Sequence, residues 1–191
     1  MKVLLLSPEP SRLAETIEKS GCDLIKSDKK YDLFFVKSNR IDFIVSYRYR
    51  HIIEKQIIDY VKCKAINLHI SLLPWNRGAD PNLWSFLEDT PKGVTIHYID
   101  EGIDTGDIIV QEECSFDIQG DTLKSTYEKL NKKIQSLFER WWLRILQGKA
   151  PGISQEGEGT YHKVADKEKY LHLLSEKGYD TPVNVLIGKA K

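Results

Sequence analysis

Short, uninterrupted apolar runs punctuate the first half of the chain, in place of the alternation that marks a strand with one wet face. Val3 to Leu6 is the first, closed by a Ser-Pro turn, and Asp32 to Val36 (DLFFV), Asp42 to Val45 (DFIV) and Ala65 to Leu68 repeat it. Such runs predict strands buried on both sides. Between them, Arg12 to Ser20, with Gly21 as a stop, and Ile52 to Val61 (IIEKQIIDYV) carry their apolar residues at helical spacing. Strands interleaved with helices predict an α/β chain with a mostly parallel, Rossmann-like sheet and helices on both faces.

The pattern changes further on. Gly93 to Ile99 (GVTIHYI) alternates, Asp107 to Glu112 (DIIVQE) is a second strand, and the irregular DEGIDTG turn between them lets the two pair as neighbours. From an Asp121 or Thr122 cap, Leu123, Tyr127, Leu130, Ile134, Leu137, Phe138, Trp141 and Ile145 recur at intervals of three and four up to Gly148. This predicts one long amphipathic helix. Residues 149–191, richer in Gly, Lys and Glu, show a period only around Tyr170 to Leu174. The expected division is a domain over 1–148 and a tail or small subdomain over 149–191.

Composition narrows the function. Lys plus Arg equals Asp plus Glu at 28 each, so no bulk charge is available to hold nucleic acid or an anionic membrane, and any anionic ligand must be met by local groups. The three cysteines, Cys22, Cys63 and Cys114, are far apart and lack metal-ligand spacing, which reads as free thiols in a reducing compartment. The apolar start is short for a secretory signal, and no run is long enough to span a membrane. A soluble, cytoplasmic protein without a metal site is the expectation.

Candidate chemistry lies in INLHISLLPWNRGADPNLW, residues 66–84. Side chains alternate along a strand, so Asn67 and His69 share one face while Leu68 and Ile70 share the other. At the C-terminal end of a central parallel strand that face opens on the crevice where α/β sheets bind ligands. The amide can donate to a developing oxyanion and the imidazole can move a proton near neutrality. Asp104 and Asp107, in the following loop, are candidates to set the charge or tautomer of the histidine. Taken alone, each of these residues, with Arg77, Gly78, Asp80 and His97, has an ordinary structural role as its alternative.

The ordered series Asn67-Leu-His69-Ile-Ser71-Leu-Leu-Pro74, Arg77-Gly78, Pro81, Trp84, Gly93-Val-Thr-Ile-His97 and Asp104-Thr-Gly-Asp107-Ile108 resembles the formyltransferases that use 10-formyltetrahydrofolate. That family includes glycinamide ribonucleotide transformylase, the catalytic domain of methionyl-tRNA formyltransferase and the N-formyltransferases of nucleotide-linked amino sugars. The resemblance implies the Rossmann-like formyltransferase fold, 10-formyltetrahydrofolate as co-substrate, and Asn67, His69 and Asp104 as the catalytic residues. It places the pterin against the loop after the preceding strand, at Arg48, His51, Ile52 and Ile53, and beside Asp104. Ser71, Arg77, Gly78, Asp80, Pro81 and His97 are the expected substrate-binding residues.

The acceptor amine follows from wording rather than composition. SPEP stands where a glycine-rich phosphate loop would follow the first strand. The neutral, short chain lacks the C-terminal barrel and basic surface of the transfer-RNA enzyme. RGADPNLW, KGVTIHYID, TYHKVADK and YDTPV look most like the sugar N-formyltransferases, which implies a nucleotide-linked dideoxy amino sugar as small-molecule partner and allows a homodimer. The alternatives are a methionyl-tRNA or glycinamide ribonucleotide formyltransferase, a hydrolase that deformylates the folate, and a non-catalytic nucleotide-binding module.

Overall fold

The computed structural model describes residues 1–9 and 11–191. Its elements run β1 (Lys2–Leu6), α1 (Ser11–Lys19), β2 (Asp23–Ser27), α2 (Leu33–Ser38), β3 (Phe43–Tyr47), α3 (Lys55–Tyr60), β4 (Ala65–His69), β5 (Arg77–Gly78), α4 (Pro81–Leu87), β6 (Gly93–Tyr98), β7 (Ile108–Glu113), α5 (Leu123–Leu146) and β8 (Tyr161–His162), with 3-10 turns from Val164 onward. Six strands form one sheet in the order β2-β1-β3-β4-β6-β7, of which β2, β1, β3 and β4 are mutually parallel. The expected α/β class and mostly parallel sheet are thus found. No helix among the described residues is long and apolar enough to cross a membrane.

The chain divides into two compact units. The first comprises Met1–His69, Ile96–Val110 and Gln135–Ser154; the second comprises Ile70–Thr95, Gln111–Ile134 and Gln155–Lys191. In the first, Leu4 and Leu6 join Val36, Ile44, Ile57 and Val61 in one cluster, while Val3 and Leu5, on the opposite side of β1, are also fully buried. Both sheet faces are therefore covered, which is why these strands are apolar throughout. On the second side Trp142 packs edge-on to Phe43 and donates its indole N–H to Ser20 Oγ at 2.9 Å. The Trp141-Trp142 pair that looks exposed in sequence is thus half resolved within this unit, with Trp142 buried and Trp141 lying under Arg144.

One expected strand is a helix. DLFFV begins α2: Asp32 is its N-cap and accepts from the Phe35 N–H at 2.8 Å, and of the apolar residues only Val36 is buried, while Phe34 is 77% exposed. An apolar run this short does not distinguish strand from helix, and the capping aspartate decides the outcome. The strand that does lie there, β2, is half-exposed at the sheet edge and left no continuous apolar run.

In the second unit, α4 follows Asp80 directly and begins with Pro81 at its first turn. Asn82 through Leu87 are all buried, and Leu83, Trp84, Phe86 and Leu87 pack with Leu123, Leu174, Val183 and Leu186. Residues 155–191 therefore share a core with α4 and the start of α5.

Candidate active site

Register sets up the site of the first unit. Ser46 on β3 pairs with Asn67 on β4, and Leu6 on β1 pairs with Ser46, so the C-terminal ends of three parallel strands fall level with Asn67 and His69. The Asp104 loop reaches this end because Gly106 lets its backbone pass against the Tyr98 carbonyl, where a Cβ would collide. Asp104 itself sits in the left-handed region (φ 55°), a conformation that aspartate tolerates but that costs free energy.

Four polar side chains converge. Asn67 Nδ2 lies 3.0 Å from Asp104 Oδ1 and 3.3 Å from His97 Nε2, and those two atoms are 3.4 Å apart. His69 Nδ1 is 3.6 Å from Asp104 Oδ2, just beyond hydrogen-bond distance. The side chains of His69 and Asp104 are 8% and 11% exposed. His97 is 2% exposed, and its ring faces Asn67 and Asp104. The alternation of β6 turns the ring into the cluster.

The amide of Asn67 has one orientation here. A flipped amide would set Oδ1 against the Asp104 carboxylate, so Nδ2 faces the pair. The three atoms make a nearly equilateral triangle, and the two acceptors subtend about half of the roughly 120° between amide hydrogens. The nitrogen end of the amide therefore faces both acceptors.

The loop after β3 holds the other residues expected to meet a folate. Arg48 (φ 56°) pairs with Glu9 at 2.7 Å. His51 lies edge-on to Tyr49, Ile52 is 72% exposed, and Ile53 is half-buried. Tyr49, Ile52 and Ile53 rim an apolar pocket floored by Leu4, Leu6 and Ile44, whose free space of about 10 Å³ is the size of one water. Among the described residues, no hydrogen bond within the chain uses the backbone N–H or C=O groups of residues 50–53.

The second unit contains the remaining candidates. Ser71 is buried and works within its own turn, donating to the Trp75 carbonyl at 2.7 Å and accepting at its carbonyl from Thr95 Oγ1 at 2.7 Å. Arg77 and Gly78 form β5, which pairs in parallel with Tyr161 and His162 of β8. Gly78 (φ 87°) has no room for a side chain, since a Cβ would meet the His162 carbonyl. Arg77 donates through Nε and Nη2 to Gln155 Oε1 at 3.0 and 2.7 Å. Asp80 is paired with Lys167 at 2.8 Å, and Pro81 opens α4. Gln155, Lys167, Glu9 and His162 escaped the sequence reading. Their partners lie tens of residues away and no local pattern marks them.

The chain belongs to the formyl transferase family, whose model matches residues 23–141. It is similar throughout to the formyltransferase PseJ from Anoxybacillus kamchatkensis, solved in complex with UDP-4,6-dideoxy-4-formamido-L-AltNAc and tetrahydrofolate: 54% identity, TM-score 0.95, and full coverage of both chains. Methionyl-tRNA formyltransferase of Syntrophus aciditrophicus (strain SB) is 48% identical over 139 residues, 71% of this chain and 44% of that protein. Methionyl-tRNA formyltransferase of Clostridium botulinum (strain Alaska E43 / Type E3) is 33% identical over 164 residues, 82% of this chain and 50% of that protein. The chain spans about half the length of the curated relatives it matches.

Proposed function

We propose that the protein transfers the formyl group of 10-formyltetrahydrofolate to the amine of a nucleotide-linked dideoxy amino sugar. The observation that carries this reading is the full-length similarity to PseJ, whose complex holds a UDP-linked formamido sugar and tetrahydrofolate, together with the Asn67, His69 and Asp104 cluster at the strand ends.

The chemistry follows from the groups present. The amine attacks the formyl carbon, a carbon–nitrogen bond forms, and the formyl oxygen becomes negative. Asn67 donates an amide N–H to that oxygen, an interaction stronger in the transition state than in the ground state. His69 accepts a proton from the attacking nitrogen and delivers one to the folate nitrogen as the old carbon–nitrogen bond breaks. Asp104 holds that imidazole's charge. Residues 48–53 fit a pterin: Ile52 offers an apolar face, and unused backbone donors and acceptors match the polar edge of the ring. The pocket beneath is too small for the ring, so the pterin rests on its rim. The reading places the enzyme in the cytoplasm, in keeping with its three free cysteines.

Arg77 supports an anionic acceptor. Among the described residues its guanidinium faces a neutral carboxamide and no carboxylate, and the adjacent Asp80 is already paired with Lys167. A half-buried cation without a counter-charge is suited to a diphosphate.

The test is to incubate the protein with 10-formyltetrahydrofolate and a panel of acceptors: UDP- and dTDP-linked 4-amino-4,6-dideoxysugars, methionyl-tRNA, glycinamide ribonucleotide, and water alone. A formylated nucleotide sugar with stoichiometric tetrahydrofolate is expected. Formylated methionyl-tRNA or glycinamide ribonucleotide, free formate, or no turnover would each overturn the reading. In the same assay Gln155→Glu, which neutralises Arg77 without changing size, should raise KM for the sugar about tenfold and leave KM for the folate unchanged.

A further inference from the structure

The Asn67 triangle has a third member that the proposed chemistry does not use. His97 Nδ1 lies 2.7 Å from the Tyr98 carbonyl oxygen, an atom that only accepts. Nδ1 therefore carries the proton, and in the neutral ring Nε2 presents a lone pair. That lone pair is 3.3 Å from Asn67 Nδ2.

We infer that His97 is a positioning residue, which orients the Asn67 amide for formyl transfer through a histidine tautomer set by the backbone. The geometry runs in one direction. The Tyr98 carbonyl selects the Nδ1–H form, Nε2 becomes an acceptor, and Nε2 together with Asp104 Oδ1 requires the nitrogen end of the amide. Asp104 alone supplies one acceptor from a loop in a strained backbone conformation. His97 supplies the second from a paired strand, with its ring sealed from water, so the orientation of the amide does not rest on the loop alone. The ring needs no proton exchange to do this. The acidic and basic groups that face it are Asp104 at 3.4 Å and the His69 ring, edge-on at 6.3 Å between centroids.

The inference rests on the formyl-transfer reading only for its kinetic arm. Long-range proton–nitrogen spectra of the wild-type protein carrying ¹⁵N-histidine, assigned with His97→Phe, should show a protonated Nδ1 and a bare Nε2 at His97 at neutral pH. A protonated Nε2 or a cationic ring would overturn the proposal, whether or not the protein has formyltransferase activity. In turnover assays, His97→Phe should lower kcat roughly 10- to 100-fold, the scale of a misaimed oxyanion donor, with KM for both substrates within about threefold. His97→Gln, whose side-chain oxygen can replace the Nε2 lone pair, should recover kcat to within about fivefold of wild type. Unchanged kcat in the Phe variant, or a loss confined to KM, would refute the role. If the Phe variant fails to fold, the tautomer, with assignment taken from His97→Gln, and the Gln variant's kinetics still decide it. If wild type transfers no formyl group to any acceptor, the proposed function fails and the spectrum alone judges His97.

Discussion

Both units bury histidines beside carboxylates, and their surroundings give His97 of the first and His162 of the second opposite characters. His97 has a partner on each ring nitrogen: the Tyr98 carbonyl on Nδ1, and the Asn67 amide with Asp104 on Nε2. His162 is stacked flat on Trp84, with centroids 3.7 Å apart and planes 4° from parallel. Its Nε2 lies 3.2 Å from Glu88 Oε2, yet off the line of a hydrogen bond, and Trp84 Nε1 is also buried without a partner. The first arrangement is a polar network at the C-terminal ends of parallel strands, built around a part-buried amide. The second is a packing joint: the His162 carbonyl receives the Ala79 N–H at 2.9 Å, and Tyr170 closes edge-on over Trp84. An imidazole next to a carboxylate is therefore no signature of catalysis. What distinguishes the two is whether the network leaves a donor or acceptor directed at space that a ligand can enter.

The contrast is broken most severely at the first site. Asn67→Ala and His69→Ala should each lower kcat by roughly 100- to 1000-fold, with melting temperature nearly unchanged, since neither side chain fills the apolar core. Near-normal turnover by both would remove the distinction. At the second site the effect should move from rate to stability. His162→Leu loses the stack on Trp84 and the imidazole beside Glu88, so unfolding free energy should fall by about 2 kcal/mol in urea titration, while kcat of the folded enzyme stays within about threefold. A large kcat loss there would give His162 a part in catalysis.

The smallest effect concerns the joint between α5 and residues 181–183. Burial raises the Asp121 pKa, but hydrogen bonds from Lys129, Ser125 and the Asp117 backbone outweigh it and bring the value below the ordinary 3.8. A carboxylate with a depressed folded-state pKa stabilises the fold at pH above its unfolded value, and that contribution disappears as the pH falls through the folded value. Asp121→Asn should therefore cost about 1 kcal/mol at neutral pH, and the difference from wild type should disappear as the pH falls through the folded-state value in melting experiments. A cost that persists in acid would assign the effect to packing.

Much of the first site was legible because its residues are close in sequence and follow strand geometry. Alternation put Asn67 and His69 on one face, the turn glycines marked the Asp104 loop, and the continuous aliphatic runs at β1, β3 and β4 announced a sheet covered on both sides. DLFFV failed for a physical reason: four apolar residues suit a strand or the first turn of a helix, and the choice rested on one hydrogen bond, which Asp32 accepts from the Phe35 N–H. The RGADPNLW segment concealed a helix because its proline and aspartate read as a turn, although proline suits a first helical turn equally well.

The amino-acid order by itself determined which residues alternate, where chain direction reverses, and which motif series the chain carries, because these depend on neighbours a few positions apart. Tertiary structure alone decided that His97 turns inward to the amide, that Gln155 rather than a carboxylate meets Arg77 across 78 positions, and that residues 155–191 close a core with α4. Those outcomes depend on distances between segments far apart in the chain. Burial and hydrogen-bond satisfaction select among them only once the sheet has brought the segments together.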